Sequence, residues 1–396
     1  MPLTRSPRFP AVLLLLAAAT GLLLANSPMR DSVFEIADAR VGVPGLIELS
    51  GRHVVSDGLL ALFFFAAAVE LRHELTRGRL ASVRRALLPA VAAAGGVVVP
   101  VLVYLVIAGG SDTARGWPIP TATDVAFALG VLAVFGPGLP AGVRVFLLAL
   151  AILDDVVGIV LIAVLFTAHL EVVPLGIAAI LVVVFGWLSV RHVSMRASES
   201  VTVRVAWRVV LIALAVAVWG AVHASGVHAT IAGVALGLAM TPRGAARARH
   251  ALEPWVAVVV LPLFALTAAL VPLPAASVTE LSPAFWGVVV ALPLGKLLGI
   301  AVATALGSVV LRVPHPERLA FGDLLAVAAL GGIGFTVSLL LGDLAFAGQP
   351  DTRDQATLGV LAGSSIALVV AAMLVSWRSW HHRRARPVPA TIPDIP

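Results

Sequence analysis

Long runs of apolar residues, separated by short polar segments, occupy nearly the whole chain. Runs able to cross about 30 Å of hydrocarbon begin near residues 9, 54, 86, 119, 143, 174, 206, 227, 255, 284, 323 and 358, which predicts twelve transmembrane helices. Two of them are poor continuous helices. The fourth enters through "WPIPTATDVAFALG", where Pro118 and Pro120 precede Thr121, Thr123 and Asp124. The eleventh contains "ALGGIGFTVS", with Gly331, Gly332 and Gly334. Irregular backbone at membrane depth survives only where it is buried in protein or lines a wet cavity. The breaks fall in the second of three spans counted from span 3 and in the second of three counted from span 10. Interrupted segments at matching places in two halves point to inverted-topology repeats with the substrate site between them. The plainer alternative is that the glycines only let helices pack closely.

Between the runs there is little room for anything else. The longest segment outside them, Arg30–Val54, alternates apolar and polar residues around Val41-Gly42-Val43-Pro44-Gly45. It reads as an extracytoplasmic β-hairpin, an irregular loop being the alternative. Residues 387–396 are proline-rich and read as a disordered tail. Residues 1–386 form one all-α polytopic membrane domain.

Composition agrees. Of 396 residues, 60% are hydrophobic and only 12% charged, with a mean hydropathy of +1.04; a soluble domain carries about 25% charged residues. There is no cysteine, which excludes disulfides and thiolate metal sites. The net charge of +6 does not indicate nucleic acid, because the arginines sit in short loops. Twenty-one of them fall on one side when the N-terminus is placed inside, among them Arg5, Arg77, Arg79, Arg196, Arg318 and Arg386. Five fall on the other: Arg30, Arg40, Arg52, Arg115 and Arg353. This positive-inside bias supports twelve spans with both termini cytoplasmic. The first run has the basic and small-residue flanks of a signal peptide; it is read as a retained span, and its removal would leave the bias intact.

Ionisable groups deep in spans are rare and default to function. Asp154 and Asp155 lie in "LLALAILDDVVGIVLIAVLF". Neighbours on a helix are about 100° apart, so both can edge one cavity without pointing the same way. Two buried anions cost several kcal/mol unless a cation or protons neutralise them. Desolvation and mutual repulsion favour the protonated form of a carboxylate, and carboxylate oxygens also suit a small hard cation. A site that holds protons or a metal cation, but not both, is the core of an exchanger. The only lysine, Lys296, lies in "VVVALPLGKLLGIAVATAL". Unlike arginine, a desolvated lysine can lose its proton, so it serves either as a counter-ion or as a proton carrier. Asp124 suits the meeting of two half-helix N-termini, whose partial positive charges need an anion. Thr123 is a cap or a ligand. Asp57 reads as a helix cap or a conduit acid, and Asp323 as a cap of span 11. His228 is a pH-sensitive switch or a hydrogen-bonded residue at a helix start, and His223 is a weaker candidate.

With these residues in view, the chain resembles the NhaA-type sodium/proton antiporters. The likeness is carried in order by "ANS", "AVELRHELTRGRLAS", "IPTATDVAFALGVLAVFG", "FLLALAILDDVVGIVLIA", "SGVHATIAGV", "PWVAVVVLPLFA", "GKLLGI" and "GGIGFTVSLLL". The resemblance implies electrogenic exchange of Na⁺ or Li⁺ for protons, with roles in pH and sodium homeostasis. It makes Asp155 the primary cation and proton site, Asp154 its partner, and Lys296 the lysine that pairs with Asp154. It makes Asp124, with Thr123 beside it, the acid that compensates the crossing half-helices. It ties His228 to pH response, Asp57 to the outward passage, and Glu70 and Glu74 to the cytoplasmic segment linked to pH activation. It further implies a multi-pass protein of the bacterial inner membrane, a homodimer joined through the hairpin, and no cofactor beyond the transported ions. The chain departs from the family pattern at Leu266–Leu270, where an asparagine-containing run is usual, at Arg249, where an acid is expected, and at Leu297.

Two other readings fit less well. An intramembrane aspartyl protease needs two aspartates facing each other across one bond, and adjacent residues on one helix do not. A Na⁺-coupled transporter of organic anions could use the same broken helices, but it needs a basic clamp, and Lys296 is the only deep cation.

Overall fold

The computed structural model describes residues 8–43, 47–76, 81–110, 112–167, 170–194, 201–273, 280–314 and 319–385. Arg5, Arg77, Arg79, Arg196, Arg318, Arg386 and the tail 387–396 lie outside the described residues. The chain runs through α1 (Arg8–Ala25), α2 (Arg30–Asp38), β1 (Arg40–Val43), β2 (Ile47–Ser50), α3 (Gly51–Thr76), α4 (Val83–Ala108), α5 (Val125–Phe135), α6 (Ala141–Leu165) and α7 (Val172–Ser194). It continues through α8 (Val201–Ala224), α9 (Thr230–Ala239), α10 (Pro242–Ala268), α11 (Pro283–Val310), α12 (Phe321–Gly331), α13 (Phe335–Ala345) and α14 (Pro350–Ala385).

Among the described residues, eight helices are long and apolar enough to cross a membrane, and up to eleven spans result if each bent pair counts as one. The eighth apolar run forms only the ten-residue α9, about 15 Å long at 1.5 Å per residue. Strands β1 and β2 pair antiparallel, Arg40 opposite Ser50 and Gly42 opposite Glu48; the tip at 44–46 lies outside the described residues.

The helices form two packed groups. The larger core joins α1, α3 to α6 and α9 to α14 through residues such as Leu14, Phe64, Phe127, Ile300, Leu330 and Leu341. A smaller one joins α3 and α7 to α10 through Phe65, Phe185, Leu211, Val218 and Leu236. In α7 and α8 only 17% of the apolar window is buried, against 50% in α6 and α11. The first pair therefore lies at the rim and the second at the centre. Lipid tails are as apolar as leucine, so close backbone contact, not hydrophobicity, must hold such helices together. Glycine provides it where α11 crosses α4: a Cβ on Gly299 would run into the carbonyl of Gly95.

The end of α14 ties down both α5 and α12. Ser379 Oγ accepts a hydrogen bond from Gly138 N, just past α5, at 3.0 Å. Arg378 Nε donates to Asp323 Oδ1 at 2.9 Å, and His382 Nε2 lies 2.9 Å from the same carboxylate. Asp323 therefore does not cap α12 as expected. Ala320 holds the cap position without a side-chain bond, and buried Asp323 is neutralised by α14 instead.

Candidate functional site

Two breaks in the helices meet at the centre of the larger group. The short helical turns of Asp112–Thr121 meet α5 at 47°, and α12 meets α13 at 44°. Proline starts the first break, since Pro118 and Pro120 cannot donate to a helical ladder. The two chains bond directly, Asp124 N donating to Ile333 O at 2.6 Å. Asp124 caps α5: its Oδ1 accepts from Ala126 N and Phe127 N, both at 3.1 Å. Its Oδ2 accepts from Thr336 N at 3.2 Å and Thr336 Oγ1 at 2.7 Å, at the start of α13. One carboxylate thus serves two helix N-termini, each carrying partial positive charge and unpaired N–H groups. Ser364 Oγ accepts from Phe335 N at 3.2 Å. Thr336 and Ser364 were not singled out in the sequence; the only hint is hydroxyl residues inside or beside otherwise apolar runs.

The acid pair is divided between two environments. Lys296 Nζ lies 2.6 Å from Asp154 Oδ2, and both side chains are 0% exposed. Lys296 follows directly on a π-helical turn, Ala291–Gly295, in α11. Lys296 also donates to Thr123 Oγ1 at 3.1 Å. Thr123 Oγ1 lies 2.7 Å from Asp154 Oδ2 and 2.7 Å from Gly331 O, the end of α12. A hydroxyl has one proton, so it serves one of these acceptors at a time. Asp154 Oδ1 is buried without a hydrogen-bond partner. Asp155 is turned away from this cluster. It is half-buried and lines a cavity of about 250 Å³ together with Glu70, Arg249, Glu253, Val125 and Ala126.

The remaining candidates separate along α3. Glu70 forms an ion pair with Arg249 of α10 at 3.0 Å, and Glu74 lies one turn further along α3. Asp57 is thirteen residues before Glu70, about 20 Å along a helix. It does not cap α3: Ser50 does, accepting from His53 N, and Asp57 sits in the π-helical stretch Val54–Leu59. The helix starts earlier than the apolar run because the polar residues 51–53 are already helical. Asp57 Oδ1 lies 3.6 Å from His228 Nε2, and His228 Nδ1 lies 2.9 Å from Thr230 Oγ1. His223 stacks on Trp219, whose Nε1 donates to Asp57 O at 2.9 Å. Asp57 and His228 line a second cavity, of about 400 Å³, with Arg52, Asp343, Arg353 and Asp354. Asp343, Arg353, Asp354 and Glu253 were not singled out in the sequence, because each borders a span and reads there as an ordinary solvated charge. Among the described residues, no three His, Cys, Asp or Glu side chains gather as a ligand set for a metal ion.

Comparison with known proteins gives a uniform result. A family model described as Na⁺/H⁺ antiporter 1 matches residues 2–375. The chain is 55% identical to the Na(+)/H(+) antiporter NhaA 2 of Clavibacter michiganensis subsp. michiganensis, over 97% of this chain and 93% of that one. It is 43% identical to the Na(+)/H(+) antiporter NhaA of Tropheryma whipplei, over 99% and 98% of the two chains. It is 41% identical to the Na(+)/H(+) antiporter NhaA of Mycolicibacterium smegmatis, over 96% and 88%.

Proposed function

Because the chain belongs to the Na⁺/H⁺ antiporter family, we propose that it is a secondary transporter that extrudes Na⁺ or Li⁺ in electrogenic exchange for protons. It is a multi-pass membrane protein. Its place in this reading is the bacterial inner membrane, with twelve spans, α9 included, and both termini cytoplasmic. The arginine distribution supports that orientation. The cavity holding Asp155 and Glu70 then faces the cytoplasm, and the one holding Asp57 and His228 faces outward. Spans 3 to 5 and 10 to 12 form the inverted repeats; the packing of α11 along α4 and the crossing of the two breaks at Asp124 support this. The paired strands β1 and β2 are the outer hairpin, which joins two copies of the chain; mass measurement in detergent checks the dimer.

The observation that carries the reading is the division of the acid pair. Asp154 is held by Lys296, while Asp155 faces a cavity. Asp155 is thus the group that a cation or proton from the cytoplasm meets. A carboxylate at a wet, low-dielectric boundary binds either, and each excludes the other. Na⁺ displaces protons from both Asp155 and Asp154, two for one cation, and Lys296 releases Asp154 as Na⁺ binds. One repeat bundle then moves relative to the other group, and the site opens outward. Protons drive Na⁺ off, and the protonated site returns. Two acids and one lysine allow more protons to enter than cations leave, which makes exchange electrogenic. No resident cofactor takes part.

The test is a reconstituted vesicle with a pH-sensitive dye. Asp155→Asn is expected to abolish Na⁺-induced proton flux, and undiminished flux in that variant would rule the mechanism out.

A further inference from the structure

A second pocket, of about 240 Å³, adjoins the cavity of Asp155; Arg72, His73, Thr76 and His250 line it. Two residues line both spaces, Arg249 and Glu253 of α10. They stand in the partition between the pocket and the cation site. Arg249 does not stand there freely: its Nη2 lies 3.0 Å from Glu70 Oε2, across the gap between α10 and α3, with each side chain about one-third exposed. Glu70 is the acid of α3 on the Asp155 side of that partition. The neighbouring cation, Arg72, is engaged elsewhere, by the carbonyls of Leu238 and Met240.

We infer that the Arg249–Glu70 ion pair is an electrostatic gate that sets how readily Na⁺ reaches Asp155 from the cytoplasm. The inference rests on the exchange reading above. A cation entering through this pocket passes a guanidinium. Of the two carboxylates on this path, Glu253 in the partition and Glu70 beyond it, the one on the Asp155 side is already neutralised by Arg249. To use Glu70 as a stepping point, the cation must displace Arg249 from it. The pair is wet and partly exposed, so it is weak enough to open. Arg249 cannot relieve the obstruction by losing its proton, because arginine stays charged. The gate therefore acts on the apparent affinity for Na⁺ and leaves the chemistry at Asp155 alone.

The experiment measures Na⁺-driven proton flux in proteoliposomes, at one fixed pH, as a function of Na⁺ concentration. Arg249→Gln removes the guanidinium and frees Glu70, so the KM for Na⁺ falls by roughly fivefold, the order expected for one unit charge several ångströms from a wet path. Arg249→Lys keeps the charge and stays near wild type. Glu70→Gln leaves Arg249 unopposed, and the KM rises. Exchanging the two residues, Glu70→Arg with Arg249→Glu, brings the KM back towards wild type. A purely structural pair would lower protein yield or thermal stability in both single variants without moving KM in opposite directions. Active variants whose KM stays at the wild-type value, or moves the same way in both, overturn the gate while leaving exchange intact. A wild-type protein that moves no protons on Na⁺ addition overturns the exchange reading itself, and the gate falls with it.

Discussion

Asp154 and Asp155 are neighbours in the chain, yet one is dry and ion-paired and the other opens on a cavity. The cause is helical rotation: about 100° separates consecutive side chains, enough to put one on the α11 side of α6 and the other on the α3 side. Lys296 balances Asp154 without pairing with the half-buried Asp155. Removing the lysine alone would leave a buried carboxylate uncompensated, at a cost of about 3–5 kcal/mol. Asp154, buried there, therefore needs a cation of similar size or a proton of its own to neutralise it. Lys296→Arg separates the two roles of the lysine, because arginine keeps its charge at any working pH. The counter-ion reading expects electrogenic transport to survive this change, read as Na⁺-driven membrane potential in vesicles. Loss of the potential with the protein still folded would instead assign the transported proton to Lys296. Thr123 joins these groups to the end of α12, which makes a single hydroxyl group, accepting from Lys296 and donating to Asp154 or Gly331 O, a contact between the ion pair and the break.

The two bent helix pairs that meet at Asp124 depend on each other. Neither α5 nor α13 could leave its first N–H groups unpaired at membrane depth, where each unsatisfied group costs several kcal/mol. Asp124 answers for both at once. Asp124→Ala is expected to remove two caps together, about 2–4 kcal/mol at 1–2 kcal/mol per cap, seen as a lower melting temperature in detergent. Asp124→Asn keeps the acceptor for α5 but lacks the charge, so it should lose less. Equal melting temperatures for wild type and the alanine variant would contradict this account. Asp124 was legible in the sequence as a charge beside a proline break. Thr336, 212 positions away, was not, because a threonine two residues after a glycine is commonplace until the partner that approaches it is known. The same holds for Asp323: three residues into a span it reads as a cap, and only the return of α14 makes it an ion pair with Arg378.

For the molecule as a whole, the proposed cycle has protons and Na⁺ compete for one site, which fixes the sign of the pH dependence it expects. Acid on the cytoplasmic side must inhibit, since a protonated Asp155 has no charge to offer Na⁺. By mass action, the KM for Na⁺ should rise about tenfold for each unit of falling pH in the acid range if one proton competes, and more steeply if two do. A KM independent of internal pH would exclude competition at a shared carboxylate. The apolar runs, the short arginine-bearing loops between them and the few charges within them were enough to establish a multi-pass membrane protein and to single out Asp124, Asp154, Asp155 and Lys296 as candidates. They were enough because an ionised group in hydrocarbon is too costly to be incidental, and this holds one residue at a time. Only the tertiary structure decided which of the two acids meets the lysine, which faces a cavity, that Glu70 is held by Arg249, and that one aspartate serves two helices. Those are relations between residues far apart in the chain, 142 positions for Asp154 and Lys296. They depend on how helices rotate and cross, which close packing sets and local composition does not.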